Sequence, residues 1–564
     1  MPVAERTLPI AATHREFRVL VGGEPVPREH ALQAVSIVAL ANRVASAQLS
    51  YVDGSAAAGS FALADSALFD PGAAVEIRAG SGRDLTTLFV GQVTGVRLRM
   101  RESAPPLLQV DCRHAATGLT VARRSAVFQD QTDSDVIESL LSAAGVSAEV
   151  TTTTVRHPQL VQHDCSDWDF IVARARACGL NLCTRADRLV VVGPELGGAV
   201  AELRFGATLL AFDGEVDARL QAQALQVASW QPDQQAVDLA DAADPGFDAP
   251  GSFAPDTLAE AAGAAERVLR HAALHTDEAA LLAGSTWLQA QASLLRGRAK
   301  CAGLGTVQPG DTVTLAGLGQ RFDGDALVTG VRHDMDTQQG WKTHLQLGQP
   351  APDEAHAQRL QQRRAASLLA PVSGLQCGVV TEIDDPDGEF RVRVRLPLVD
   401  AGGAGLWARL LATDAGDERG WVFRPEVGDE VLVGFLDEDP RHPVVLGMLH
   451  SSAHPAPMPP DTANDHKGYR SRSGIELLFD DGTGALTLRT PRGNTLVLDD
   501  GAGGITLEDQ HGNRIVLDAG GVQIRSASAL SIEATSTGAL EAGATLDLKG
   551  GATVTVAGAQ VQLG

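Results

Sequence analysis

At 564 residues the chain is too long for one hydrophobic core and is expected to form about three to five domains, while 44% hydrophobic content excludes a disordered polymer. A formal net charge of −24 excludes nucleic-acid binding through a broad basic surface. The 59 glycines and 4% aromatics point to β-rich structure with many turns, and the cysteines (Cys112, Cys165, Cys178, Cys183, Cys301 and Cys377) lack the C-x-x-C spacing of a zinc ribbon or a disulfide framework.

The N-terminal stretch MPVAERTLPIAATHREF lacks the apolar run of a signal peptide, and no apolar window of about 18 residues follows, so synthesis in the cytoplasm is expected. If the protein acts outside the cell, a machine must carry it there. Between residues 17 and 114 the alternating segments FRVLVGG, AVEIRAG, LTTLFVGQVTGVRLRM and LLQVDCRH predict an antiparallel barrel or sandwich. Thr132 or Ser134 is placed to cap a helix with the apolar face Val136, Ile137, Leu140 and Leu141, ending at Gly145. A second helix starts at Cys165 and Ser166 and runs to Gly179, followed by a hairpin that turns near Ala186 and Asp187. Strands are expected over 203–230, an Asp-, Ala- and Pro-rich loop over 231–255, an Ala-rich helix over 256–291, and strands again over 297–348. The polar run DEAHAQRLQQRRAA at 353–366 predicts a helical connector and the clearest boundary in the chain.

Residues 371–450 contain five apolar-alternating segments with turn signals at Asp387-Gly388, Gly428-Asp429 and Asp439-Pro440, which suits a small five-stranded barrel of the oligosaccharide- and oligonucleotide-binding (OB) type. A Pro-rich linker follows. From Gly474 the sequence repeats: GIELLFDD, GNTLVLDD and GNRIVLDA begin at Gly474, Gly493 and Gly512, 19 residues apart. Ile524, Ile532, Leu540, Leu548 and Val556 then follow at steps of eight, with Leu530, Leu546, Val554 and Leu563 alternating beside them. At about 3.3 Å per residue, an eight-residue step is one short strand and a corner. A single-chain coil needs roughly 18 or more residues to close three sides, so the 19-residue copies could close alone and the eight-residue copies could not. Three chains, each contributing one side of a prism, leave no strand edge open. The expected trimer core is Leu477, Leu496, Ile515, Ile524, Ile532, Leu548 and Val556, with Asp480, Asp481, Asp499 and Asp500 as charged corner residues.

Candidate chemistry is sparse. His271 and His275 lie four apart on the predicted helix with Glu278 beyond them, but no third ligand accompanies them. Cys165 beside His163 and Asp164 suggests a nucleophile only on paper, because neighbours in sequence rarely reach catalytic geometry and capping by Ser166 or Asp167 explains the stretch. The carboxylate clusters at 384–390 and 437–440 fall on hairpin turns and are expected to be solvated. Arg391, Arg393 and Arg395 alternate along one strand amid many acids, a charged face rather than a nucleic-acid groove. No catalytic, cofactor-binding or metal residue is expected, and an envelope- or polysaccharide-degrading β-helical enzyme is the competing class.

Taken together, PEVGDEVLVGFLDEDPRHPVVLGMLHS at 425–451, SDWDFIVARARACGLNL at 166–182 and the terminal repeat resemble the VgrG-type spike proteins of contractile injection systems. The resemblance covers nearly the whole chain. It implies a mainly β fold: β-barrel hub domains with short helices over 1–370, an OB-fold-like collar barrel over 371–450, a linker over 451–472 and a C-terminal intertwined trimeric β-helix needle over 473–564. It further implies a homotrimer, seated on an inner tube hexamer among baseplate proteins, with a PAAR-type tip protein on Val561 and Leu563. The function implied is a structural spike, not an enzyme, assembled into a contractile particle that punctures a target cell envelope. The short chain and the wording RGWVFRPEVGDEVLVGF lean toward an extracellular phage-tail-like particle, with a type VI secretion or contractile phage tail spike as alternatives.

Overall fold

Most of the N-terminal two thirds is built from strands whose alternate residues are apolar, and these pair into one thirteen-stranded sheet and three smaller ones. The computed structural model describes residues 15–81, 84–231, 236–263, 265–271, 274–350, 365 and 368–562. The chain divides into two units, Met1–Leu449 and His450–Gly564.

In the first unit a thirteen-stranded sheet carries two apolar cores. One gathers Val35, Ile37, Leu49, Ile77, Phe89 and Val110, and the other Cys301, Val313, Leu315, Val328 and Leu345. The strands Leu32–Leu40 and Gly324–Asp336 pair antiparallel and join the two. A third core is helical. In it α1 (Asp133–Ala143), α2 (Asp167–Ala177) and α4 (Thr276–Ala292) pack around the hairpin Asn181–Arg185/Arg188–Val192. Thr132 caps α1 with its hydroxyl on the Asp135 N–H while the Asp135 carboxylate accepts from the Thr132 N–H, a reciprocal box that satisfies two otherwise free donors. Ser166 caps α2 with its hydroxyl oxygen on the Asp169 N–H, and the same hydroxyl donates to the Asp169 carboxylate.

Two expectations fail in this unit. The helix expected over 256–291 is interrupted: α3 (Pro255–Ala262) ends at Gly263 with φ +69°, and Glu266–His271 becomes a strand, pairing parallel with Ala224–Gln231. Local composition favours helix there, but an open strand edge offers hydrogen bonds that the helix would forgo. The loop expected over 231–255 likewise contains a strand, Ala236–Asp241, on the other side of Ala224–Gln231. The helical connector expected over 353–366 lies outside the described residues except for Ala365.

Residues 376–448 form the closed five-stranded barrel, in the order Gln376–Glu382, Val392–Arg395, Leu406–Leu410, Pro443–Met448 and Glu430–Phe435. Val380, Val392, Val394, Val431 and Val433 fill it, and Val161 from the strand Arg156–Ser166 packs into the same core.

His333, buried on the second sheet core, hydrogen-bonds Thr343 Oγ1 through Nδ1 at 3.0 Å. Burial, opposed only weakly by Asp334, lowers its pKa to about 4 from 6.5. The unfolded chain therefore takes up the proton first as pH falls, so this group's stabilisation is complete above about pH 6.5 and is lost by about pH 4, roughly 3 kcal/mol in all. Denaturant titrations should show a smaller stability loss across pH 6.5 to 4 for His333→Gln than for the unaltered protein. Equal losses would contradict this.

Candidate functional site

The second unit contains a seven-stranded antiparallel meander: His466–Arg470, Glu476–Asp480, Ala485–Arg489, Thr495–Asp499, Gly504–Glu508, Arg514–Asp518 and Gly521–Arg525. Its turns are written in the repeat. Gly474, Gly493 and Gly512 hold φ of +85°, +93° and +85°, values that a side chain resists. The preceding side-chain oxygens of Ser471, Thr490 and Asp509 accept from the N–H groups of Ile475, Asn494 and Asn513. At the opposite turns Asp480, Asp499 and Asp518 accept from the N–H groups of Gly482, Ala502 and Gly520 at 3.0, 2.7 and 2.7 Å. Corner aspartates are thus fixed by backbone hydrogen bonding.

One 19-residue copy is therefore a hairpin of two five-residue strands and not a coil closing three sides. Two tight turns per copy return the chain antiparallel, and a coil would need three bends of one sense. The register places Leu477, Leu488, Leu496, Leu507, Ile515 and Ile524 directly across from one another in one row. Phe479, Leu486, Leu498, Ile505, Leu517 and Val522 form a second row on the same face, two residues along each strand. The other face alternates Leu478, Thr487, Val497, Thr506, Val516 and Gln523 and is edged by Glu476, Arg489, Glu508, Arg514 and Arg525, with Arg470 and Arg489 3.5 and 3.9 Å from Glu476.

One face is continuous hydrocarbon, and in the single chain it is uncovered: Leu507 is 49% and Ile524 56% exposed. Covering the remaining area would contribute on the order of 1 kcal/mol per side chain. Of the residues expected in a trimer core, Leu477, Leu496, Ile515 and Ile524 share the first row. Ile532, Leu548 and Val556 lie in 526–562, where no strand forms among the described residues, and Ile532 is 81% exposed. Val561 is exposed as well, and Leu563 lies outside the described residues. The intervening strands with Leu486, Leu488, Ile505 and Leu507 are not among the expected core residues, although the L-x-L and I-x-L spacing inside each marks them in the sequence.

The residues weighed for chemistry serve structure. Burial raises the Cys165 thiol to about 11, and His163 Nε2 meets the Gln376 side-chain amide at 2.9 Å. His271 ends a strand and His275 precedes α4, so the two do not share a helical face. Among the described residues no group of three or more metal-ligating side chains occurs. Asp385 accepts from the Arg391 N–H and guanidinium at 2.8 to 3.0 Å; those hydrogen bonds, chiefly the side-chain ones, hold its carboxyl well below the ordinary range. The guanidinium groups of Arg391 and Arg393 stand 5.7 Å over Trp407, and Arg393 pairs with Glu382.

The turn at Asp439 departs from expectation because Asp439 is buried, not solvated. It accepts from Arg441 Nη2 at 2.8 Å, and Arg441 Nη1 reaches Glu278 of α4 at 2.5 Å. Arg174 of α2 binds Asp133 of α1 at 2.6 Å, with His157 Nε2 2.8 Å from the same carboxylate and Glu278 3.6 Å from Arg174. Burial opposes ionisation of Asp133 and Asp439, yet the adjacent guanidinium groups override it, holding Asp439 at about 2 and Asp133 lower still. No spacing in the sequence announces this junction, since its members come from five separated segments.

Comparison with known proteins adds the following. Residues 11–337 match the family model of the Alg8 N-terminal domain, 376–450 that of the type VI secretion system/phage-baseplate injector OB domain, and 485–563 that of the phage baseplate V C-terminal trimerisation domain. The chain is 40% identical over 98 residues to the type VI secretion system spike protein VgrG4b of Pseudomonas aeruginosa, a stretch that is 15% of this chain and 12% of that protein. It is 31% identical over 126 residues to VgrG5 of the same organism, covering 22% and 16%. The matches thus span under a fifth of those relatives' lengths. In fold it resembles the Francisella PdpA–VgrG complex, with a TM-score of 0.53 at 7% identity over 91% of this chain and 80% of that one.

Proposed function

Because the chain belongs to the VgrG-type spike family, carrying Alg8 N-terminal, injector OB and trimerisation domains in that order, we propose that it is the trimeric puncturing spike of a contractile injection system. The uncovered hydrocarbon face of the repeat carries this reading. Three copies that turn these faces inward form a dry prism with charged corners outside, and the eight-residue steps that have no strand partner in one chain find partners in two others. Residues 1–370 are the hub, 371–450 the collar barrel, 451–472 the linker and 473–564 the needle.

The spike requires stiffness and symmetry, and the contracting sheath supplies the work; no active site is assigned. The hub seats on a hexameric inner tube within the baseplate, and Val561 and Leu563 carry a PAAR-type tip. The extracellular phage-tail-like particle is the preferred setting. Native mass measurement should return three times 58.8 kDa. A monomer at micromolar concentration would overturn the proposal.

A further inference from the structure

Val35 and Ile37 of one apolar core and Val331 of the other stand on the same side of the thirteen-stranded sheet, which leaves its opposite side polar. One row of that polar side, set by register across six neighbouring strands, reads Lys300, His344, Arg332, Val38, Ser46 and Arg113. At about 4.8 Å between strands the row is about 24 Å long. It contains no carboxylate, in a chain whose net charge is −24.

Two adjoining hollows lie along this row. The larger, about 520 Å³, is lined by Val38, Leu40 and Ser46 together with Arg43, Arg113 and Trp168 of α2, and among the described residues no acidic side chain lines it. The second, about 370 Å³, begins one step along the same strands at Ser36 and Gln48 and is lined also by Lys300, Arg332, Lys342 and His344. Its carboxylates are already engaged. Asp334 accepts from Ser36 Oγ at 2.8 Å and from Arg332 Nε at 2.9 Å, and Asp336 accepts from the Gln338 N–H at 2.8 Å. Arg43, Arg113, Lys300 and Lys342 have no ion-pair partner among the described residues.

Uncompensated cations on a surface attract and orient an anionic partner. The hydroxyl and amide side chains of Ser36, Ser46 and Gln48 stand between these cations and can exchange hydrogen bonds with peptide groups. A single-stranded nucleic acid would require a series of stacking aromatics, and Trp168 is the one aromatic side chain other than His344 that lines the hollows. With Val38 and Leu40 it instead offers one apolar side chain a place to be buried.

We infer that this polar side of the hub sheet docks an acidic polypeptide segment in extended form. Its carboxylates pair with Lys300, Lys342, Arg43 and Arg113, and one apolar side chain fills the larger hollow against Val38, Leu40 and Trp168. About seven extended residues cover the row. The surface is complete within one chain.

Fluorescence anisotropy of a labelled peptide of alternating Glu and Ser with one central Phe, titrated with the full-length protein at about 0.15 M salt, tests the docking. One peptide should bind per chain. Lys300→Glu/Lys342→Glu and Arg43→Glu/Arg113→Glu should each weaken binding about tenfold or more without changing native mass or thermal unfolding. The milder Lys300→Gln/Lys342→Gln should weaken it in the same direction. Leu40→Ser should abolish the advantage of Phe over Ser at the centre of the peptide. Arg395→Glu/Arg409→Glu, an equal change of charge on the collar barrel, should leave binding unaltered; equal weakening there would show that net charge alone attracts the peptide, against the proposal. Equally tight binding of a thymidine oligonucleotide of matched charge, or no saturable peptide binding up to about 1 mM, also overturns it. Each of these results leaves the trimeric spike reading to be decided by native mass.

Discussion

The substitution Ile515→Asp is expected to leave the protein monomeric by native mass, with the hub folded. Ile515 sits between Leu507 and Ile524 in the first apolar row. In a trimer the change brings three carboxylates into a dry axis without counter-charge, each costing several kcal/mol, and removes three apolar contacts of on the order of 1 kcal/mol each. Gln523→Asp is the control. Gln523 stands opposite Val516 on the other face, so its carboxylate remains in water and the trimer should persist. Trimers of unchanged heat stability from Ile515→Asp would show that the hydrocarbon face is not the interface.

Arg441→Met is expected to destabilise the first unit by about 3 to 5 kcal/mol, because it strands the buried carboxylates of Asp439 and Glu278. Arg174, 3.6 Å from Glu278, is already committed to Asp133 and compensates only in part. The triple change Arg441→Met, Asp439→Asn, Glu278→Met should recover most of the loss, since replacing a whole buried ionic group with neutral residues costs far less than orphaning half of it. Urea unfolding of the three proteins measures the difference. A single-variant loss below about 1 kcal/mol would mean that water reaches the junction.

The legibility of the chain follows the range of its interactions. Helix starts at Thr132 and Ser166 were readable because a cap is settled within four residues, and the barrel was readable because its turn signals bound five alternating runs in a short span. The stretch 256–291 was not. Its composition is that of a helix, and the pairing that turns Glu266–His271 into a strand comes from Ala224–Gln231, remote in sequence. Asp439 was misread for a similar reason: an Asp-Pro turn is ordinarily wet, and only Glu278, 163 residues from Arg441, makes this one dry.

The repeat divides in the same way. Its period, its corner glycines and aspartates, and the row shared by Leu477, Leu496, Ile515 and Ile524 were determined by the sequence alone, because strand alternation and turn chemistry act over a few residues. Whether a 19-residue copy coils or doubles back was decided only in the tertiary structure, through the register that sets Leu488 between Leu477 and Leu496 and Leu486 between Phe479 and Leu498, so that both rows share one face. Cross-strand register depends on hydrogen bonds between separate strands, and no single strand contains that information.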